Sequence, residues 1–394
     1  MFNNYQKEKV MKKKLFLIAL LLVFALISCG GEEEEDDWGN DGDGGNDQNQ
    51  HNEDKYSEIN LGSKTRILSV AVGNNDKIYM GGGTDVNLYG ELVGETSNAF
   101  LAAFNEKGEN LWGKQWGNNN KDTYIVALLI DKQNNIYAIG GTYHNVFVSK
   151  FSSEGVKIWE NFPEIKHIAS LTISDSGNLY VGSHYEAAEI LKYSPEGQEI
   201  WRHKIYENQT IVIEALAVDS EENIYVGGYT SASLFAENVG GHDAVLIKIA
   251  PDGTQLWGKQ WGSTKDDEVK DLLFYNNNIY VAGRTSKQAE ILVKFSTEGD
   301  KIWGVEGNNI NYSSMTSDGA NYIYVNTTLR NIDGAKDCIY KYNLEGESVW
   351  NSNDLNINLL MTEIAVDTLG NLYVVGENSL EENSLIKIPA SEIK

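Results

Sequence analysis

One short unit recurs seven times in this chain, at spacings of 43 to 58 residues, and nothing else in the sequence limits the fold as strongly. Its first mark is an apolar run, a polar turn, then Ile or Leu followed by Tyr and small residues. The tyrosines are Tyr79, Tyr137, Tyr180, Tyr225, Tyr280, Tyr324 and Tyr373. Its second mark is an aromatic residue or Ile, then Gly four residues on and Trp four residues after that. It occurs as Phe104–Gly108–Trp112, Phe151–Gly155–Trp159, Tyr193–Gly197–Trp201, Ile249–Gly253–Trp257, Phe295–Gly299–Trp303 and Tyr342–Gly346–Trp350. A period of this size means a solenoid, a propeller or an array.

Each unit reads as four short strands. In the fourth unit they are predicted at Ile211–Val218, Asn223–Tyr229, Asp243–Ile249 and Gln255–Trp261. The runs are rich in Val, Ile, Tyr and Trp and are bounded by Gly, Asn and Asp, with no helical stripe between them. Alternation is imperfect, as in Ala244–Ile249. That pattern fits sheets covered on both faces, which radially packed blades are. The predicted fold is therefore all-β: a seven-bladed β-propeller of four-stranded antiparallel blades. One Trp per outer strand is suited to filling the widening gap between twisted blades, and the Gly before it to a hairpin turn at positive φ. The seventh unit lacks its Trp strand, whereas Tyr56–Leu61 aligns with the Trp112 strand. The N-terminal strand is thus expected to pair with Ser384–Ile388, closing the ring and removing a bare sheet edge.

The segment Gly241–Gly283, with its Gly253–Trp257 element and Ile279-Tyr280, resembles the SBBP-type seven-bladed β-propeller repeat of bacterial secreted and surface proteins. The resemblance covers roughly residues 56–388. It is loosest in the sixth unit, where Asn326 replaces a Gly. It implies a propeller in an extracytoplasmic setting. The Gly-x-x-x-Trp element is also similar to the tryptophan-docking motif of quinoprotein (YVTN-like) propellers.

The chain before the repeats reads as an address. Met11 is the more natural start, because Lys12–Lys14 then supply a basic stretch ahead of the apolar run Leu15–Ile27. That run is shorter than the ~20 residues of a membrane-spanning helix, and it ends in Leu26-Ile-Ser-Cys29. The pattern resembles a bacterial lipobox: residues 1–28 as signal peptide, Cys29 as the lipidated mature N-terminus. Residues 30–54 hold 11 Asp or Glu and no Lys or Arg, so residues 29–54 read as a solvated acidic tether and residues 55–394 as the ring. Acidic residues just behind the lipidated Cys resemble the surface-export signal of Bacteroidetes lipoproteins. The expected location is the bacterial cell envelope, lipid-anchored at the outer membrane and surface-exposed.

Formal net charge is −25, which sets the chain against nucleic acid as a partner. With Cys29 acylated, Cys338 stands alone and reads as a packed strand residue. Tight turns fall between strands 1 and 2 and between strands 3 and 4. The loops on the opposite face are longer, reaching Thr84–Asn98 and Thr230–His242. Function commonly sits on loops held by a rigid frame. The candidate binding face is accordingly the long-loop face, with Tyr89, Tyr143, Tyr185, Tyr229, Phe235, Arg284 and Arg330 as candidate contacts. The Leu88-Tyr89 and Leu234-Phe235 pairs read either as lids or as caps folded back on their own blades. His144, His167, His184 and His242 map to the same face, and imidazoles of adjacent blades are candidate ligands for a transition metal. Asp41-Gly-Asp43 has calcium-like spacing but lacks the later ligands of an EF-hand.

No catalytic constellation stands out. The reading carried forward is a membrane-anchored, non-enzymatic binding module that takes a glycan or envelope protein and needs no cofactor. The alternative is a propeller enzyme, either a quinoprotein-like dehydrogenase or a lyase or hydrolase using carboxylates or a metal.

Overall fold

The computed structural model describes residues 57–393, apart from residues 119–120, 143–144, 166, 185–186, 207–210, 285–288, 308–309, 332–333, 356 and 379. Cys29 and the whole predicted leader and tether lie outside the described residues. Among the described residues, strands fill seven four-stranded antiparallel blades in a ring, and the only helical pieces are two single turns of 3-10 helix. The fourth blade runs Val212–Val218, Ile224–Thr230, Asp243–Ile249 and Gln255–Trp261, close to its predicted bounds. First strands of consecutive blades touch all the way round, with Leu360–Val366 of the seventh blade closing on Thr65–Val72 of the first. The expected closure is present. Ser57–Asn60 forms the outer strand of the seventh blade, with Ser57 opposite Lys387 and Asn60 opposite Ser384.

The seven tyrosines of the repeat are all essentially inaccessible to solvent. Each of the tyrosines from Tyr79 through Tyr280 lies 5.9 to 6.2 Å, ring to ring, from the Trp of its own blade. The Trp then reaches the neighbouring blade. Trp159 Nε1 donates to the Pro195 carbonyl at 3.0 Å, Trp257 to Thr297 at 3.2 Å and Trp303 to Leu344 at 3.1 Å. A lysine on the adjacent strand donates to the same oxygen: Lys150 at 3.3 Å, Lys248 at 3.1 Å and Lys294 at 3.0 Å. Each ammonium also sits over its blade's tyrosine ring, 4.8 to 5.3 Å from the centroid. One carbonyl of the next blade's hairpin therefore accepts from an indole and an ammonium together.

The Gly of that hairpin completes the joint. A Cβ on Gly197 would lie 2.7 Å from Trp159 and one on Gly346 3.0 Å from Trp303, and both residues have φ above +80°. So the Gly and the Trp of one motif serve two different junctions: the Gly receives the preceding blade's Trp. Where the pattern lapses, something else fills the space. His203 lies against Gly253, and Ile59 of the N-terminal strand against Gly108. At the chain's end Trp350 donates to the Glu392 carbonyl at 3.0 Å, so the turn Ala390–Glu392 stands in for the missing hairpin.

The 1–2 turns are closed by their own side chains. Asp219 accepts from the Asn223 backbone and amide and from the Tyr225 hydroxyl, and Asp367 does the same for Asn371 and Tyr373. The third blade has Ser174 at this position. Glu222 of the next blade supplies the carboxylate instead, taking Asn178 at 2.8 Å, Tyr180 at 3.0 Å and Lys192 at 2.7 Å. In the sixth blade Asn326 donates to the Met361 carbonyl at 3.2 Å, which gives the lost Gly position a cross-blade bond. Cys338 is buried without a disulfide, as a packed strand residue should be.

Two substitutions test the joint. Trp303 is partly buried, so Trp303→Ala should lower unfolding free energy by ~2–4 kcal/mol, centred on the lower end of the range for a fully buried Trp. Gly197→Ala should lower it by ~1–2 kcal/mol for the left-handed backbone alone, with the clash on Trp159 added. Urea unfolding followed by Trp fluorescence measures both.

Candidate functional site

The first strands build the wall of the central channel. In six of the seven blades this strand carries a β-bulge near its start, between Ile67 and Ser69, Ile125 and Ala127, Ile213 and Ala215, Val269 and Asp271, Tyr312 and Ser314, and Met361 and Glu363. The residue at this aligned position, Ser170 in the unbulged third blade, faces the next blade. Ser69 Oγ accepts the Leu128 N–H at 2.9 Å, Ser170 that of Leu216 at 3.0 Å, and Ser314 that of Ile364 at 3.3 Å. Asp271 accepts the Met315 N–H at 2.6 Å, and Glu363 that of Val70 at 2.8 Å. The remaining positions are Ala127 and Ala215, which have no acceptor to offer.

Ala127, Ser170, Asp271 and Glu363 of this row line a channel of about 520 Å³ shared by six blades, with Leu128, Leu216, Leu272 and Met315 among its apolar walls. Burial holds the carboxyls of Asp271 and Glu363 well above the usual range, each at about 7, and Asp271 raises Glu363 further. Both groups therefore stay partly protonated at neutral pH, where an ordinary carboxyl is fully ionised. Sequence reasoning missed them. Their signal was the row Ser69, Ala127, Ser170, Ala215, Asp271, Ser314, Glu363, in which two acids interrupt small residues at one aligned position.

The opposite, long-loop face gathers a second set of groups from the third to fifth blades. Lys270, the bulged residue of the fifth blade, lies 2.8 Å from Glu268 and 3.3 Å from Glu214. It also sits 5.9 Å from the centre of the Tyr229 ring. His242 packs on Tyr229 at 4.7 Å, with its Nδ1 3.6 Å from Asp266 and 3.9 Å from Glu268. His167 and His184 meet ring to ring at 4.6 Å, and the His184 Nδ1 lies 2.7 Å from the Ile213 carbonyl. Burial, helped by His167 and Lys270, lowers His184 to about 4, which leaves it neutral at physiological pH. Burial likewise lifts the Glu214 carboxyl, against the pull of Lys270.

The structure thus brings His167 together with His184, and Tyr229 together with His242. Among the described residues no three His, Cys, Asp or Glu converge as a metal site, and His144 lies outside them. Tyr143 and Tyr185 are also outside the described residues, as is the side chain of Arg330. Tyr89 and Phe235 are folded back on their own blades. Gln115 accepts the Leu88 and Tyr89 N–H groups at 2.9 and 3.1 Å, and Gln260 those of Leu234 and Phe235 at 2.9 and 3.1 Å. The two rings occupy the space where a Cβ on Gly113 or Gly258 would stand. Of the two roles weighed for these loops, packing is the one the geometry displays. Arg284 borders a separate cavity at the junction of the fourth and fifth blades.

The architecture defines the class: a seven-bladed β-propeller with a decorated face and a turn-locked face. Residues 205–236, from the end of the third blade through the second strand of the fourth, match the SBBP beta-propeller repeat. The chain is 25% identical over 229 aligned residues to an uncharacterized WD repeat-containing protein of Acanthamoeba polyphaga mimivirus. That alignment covers 51% of this chain and 15% of the viral protein. Among solved structures, the C-terminal WD40 domain of Sif2 superposes with a TM-score of 0.51 at 12% identity, covering 85% of this chain and 98% of that domain. A protein of unknown function from Bacteroides caccae aligns with a TM-score of 0.42 at 13% identity, covering 62% of this chain and 82% of its own.

The channel acids carry a pH signature. A carboxyl whose folded value exceeds its unfolded value of ~4 stabilises the fold at low pH, and that contribution is lost as pH rises toward the folded value. Stability should therefore fall by a few kcal/mol between pH ~4 and ~7 on account of Asp271 and Glu363. Glu363→Gln keeps an acceptor for Val70 and cannot ionise. It should be more stable than wild type at pH 8 and should flatten the decline, read by thermal unfolding at a series of pH values.

Proposed function

We propose that this chain is a non-enzymatic interaction module, held at a bacterial cell envelope by a lipid on Cys29, whose long-loop face meets a glycan or an envelope protein. The observation that carries the reading is the asymmetry between the two faces. On one, the turn residues spend their hydrogen bonds on their own hairpins and on the neighbouring blade. On the other, His167, His184, Tyr229, His242 and Lys270 from three consecutive blades stand together on a frame fixed at every junction. A rigid frame that gathers aromatic, imidazole and ammonium groups on one side suits recognition, because little side-chain order is left to impose on binding. The basic stretch, short apolar run and Cys29 support the address, and the acidic residues that follow support display on the outer surface. A WD-repeat relative is in keeping with an interaction role, although propellers host many functions.

Two measurements test the proposal. Cells fed an alkyne fatty acid should label the wild-type protein and not Cys29→Ala, and protease added to intact cells should remove the ring. Cross-linking in intact envelopes, followed by mass spectrometry, should place a partner on the third to fifth blades. Lys270→Glu should weaken that cross-link at least tenfold while the protein stays folded. An unlabelled wild type would sink the anchor, and cross-links confined to the turn-locked face would sink the binding face.

A further inference from the structure

The junction of the fourth and fifth blades holds a cavity of about 280 Å³ on the long-loop side, near the lower end of the ~300–1,000 Å³ range of small-molecule sites. Its floor is apolar, made by Ala244, Trp261, Val269, Val281 and Val293. Its rim is a row of charges, one from the end of each strand of the fifth blade: Glu268, Arg284, Glu290 and Glu306. Glu268 stands opposite Arg284 in the strand register, and Glu290 opposite Glu306. The row is peculiar to this blade. The positions matching Arg284 in the first, second, fourth, sixth and seventh blades are Gly83, Gly141, Tyr229, Thr328 and Glu377. The aromatic packing differs too. Trp116 of the first blade is covered by Phe147 and Phe151, whereas Trp261 meets Phe295 alone among the described rings.

The pairing of these charges is incomplete. Glu268, with 8% of its surface exposed, takes Lys270 at 2.8 Å, and Glu290 takes Lys301. Asp267 on the same rim accepts the Ser263 N–H at 2.6 Å and its hydroxyl at 2.8 Å. The side chains of Arg284 and Glu306 are left with no ion-pair or hydrogen-bond partner among the described residues, although both border one cavity and the chain is strongly acidic. A half-buried guanidinium is matched best by a carboxylate that takes two of its N–H groups. A plain anion would meet four carboxylates on the same rim, Asp267, Glu268, Glu290 and Glu306, and of the facing pair only Glu290 has its cation in Lys301, which leaves Glu306 to take another.

We propose that this cavity binds a small zwitterion with an apolar side chain, of the chemical class of a free α-amino acid. Arg284 receives its carboxylate, Glu306 its ammonium, and Trp261 with the valines its side chain. This goes beyond partner docking: the two sites share Glu268, but cross-linking reports a macromolecular partner and titration a free small molecule, so each can fail without the other.

Isothermal titration of the full chain with L-leucine and L-phenylalanine tests it, with N-acetyl-L-leucine and L-leucinamide as probes lacking one charge each. Saturable binding of the free amino acids is expected, at least tenfold weaker for both derivatives. Arg284→Gln and Glu306→Gln should each weaken leucine at least tenfold with an unchanged thermal midpoint. Absence of saturable heat with both amino acids, equal binding of either derivative, or full leucine affinity in Arg284→Gln would overturn the proposal. If a variant fails to keep its thermal midpoint, the comparison of leucine with its derivatives on wild type decides alone.

Discussion

Everything in this ring depends on how one twisted sheet is attached to the next. Two wedge-shaped blades leave a gap that widens outward, and the gap must be filled without stranding polar groups away from water. Here a single carbonyl of the following hairpin takes an indole N–H and an ammonium N–H. The tyrosine beneath supplies the apolar mass and the π-face that the ammonium covers. An ammonium in that position is held by a ring face, a carbonyl and, in the second blade, the Asp131 carboxylate at 3.4 Å. The combination is more selective than hydrophobic contact, since a blade displaced by one residue would break all of it together. Near the axis the spacing is narrow, and a lighter device suffices: one side chain after a bulge, one N–H of the next strand.

Much of this could be read from the sequence. The tyrosine and tryptophan spacings carry the strand count, the number of blades and the closing strand, because those residues do geometric work that few others can do. Gly197 and Gly346 were legible as turn residues at positive φ. Their second task, leaving room for a neighbour's Trp, was not, because the partner lies in another repeat. Glu222 shows the same limit. By sequence it is an ordinary turn residue at φ +63°, and only the fold reveals that it replaces the carboxylate missing at Ser174.

The candidate site was less legible for a physical reason. A repeat pattern reports what all blades share, whereas a site is made where one blade departs from the rest. Asp271 and Glu363 depart at one aligned position of the first strand, and Glu268 with Arg284 at the long-loop end of the first two strands. Loop length drew attention to Tyr89 and Phe235, yet long loops can be spent covering their own blade, as the Gln115 and Gln260 clamps show. The His residues divide between two neighbours of Lys270, so their common face was readable and their pairing was not.

The joining of Ser57–Asn60 to Asn383–Ile388 also sets an order of events during synthesis. Ser57–Asn60 has to wait, without this partner, until Asn383–Ile388 has been made. Throughout that interval the first and seventh blades cannot meet, and the nascent chain is an open arc. The latch that locks the ring therefore forms only after the strands of every intervening blade have been made.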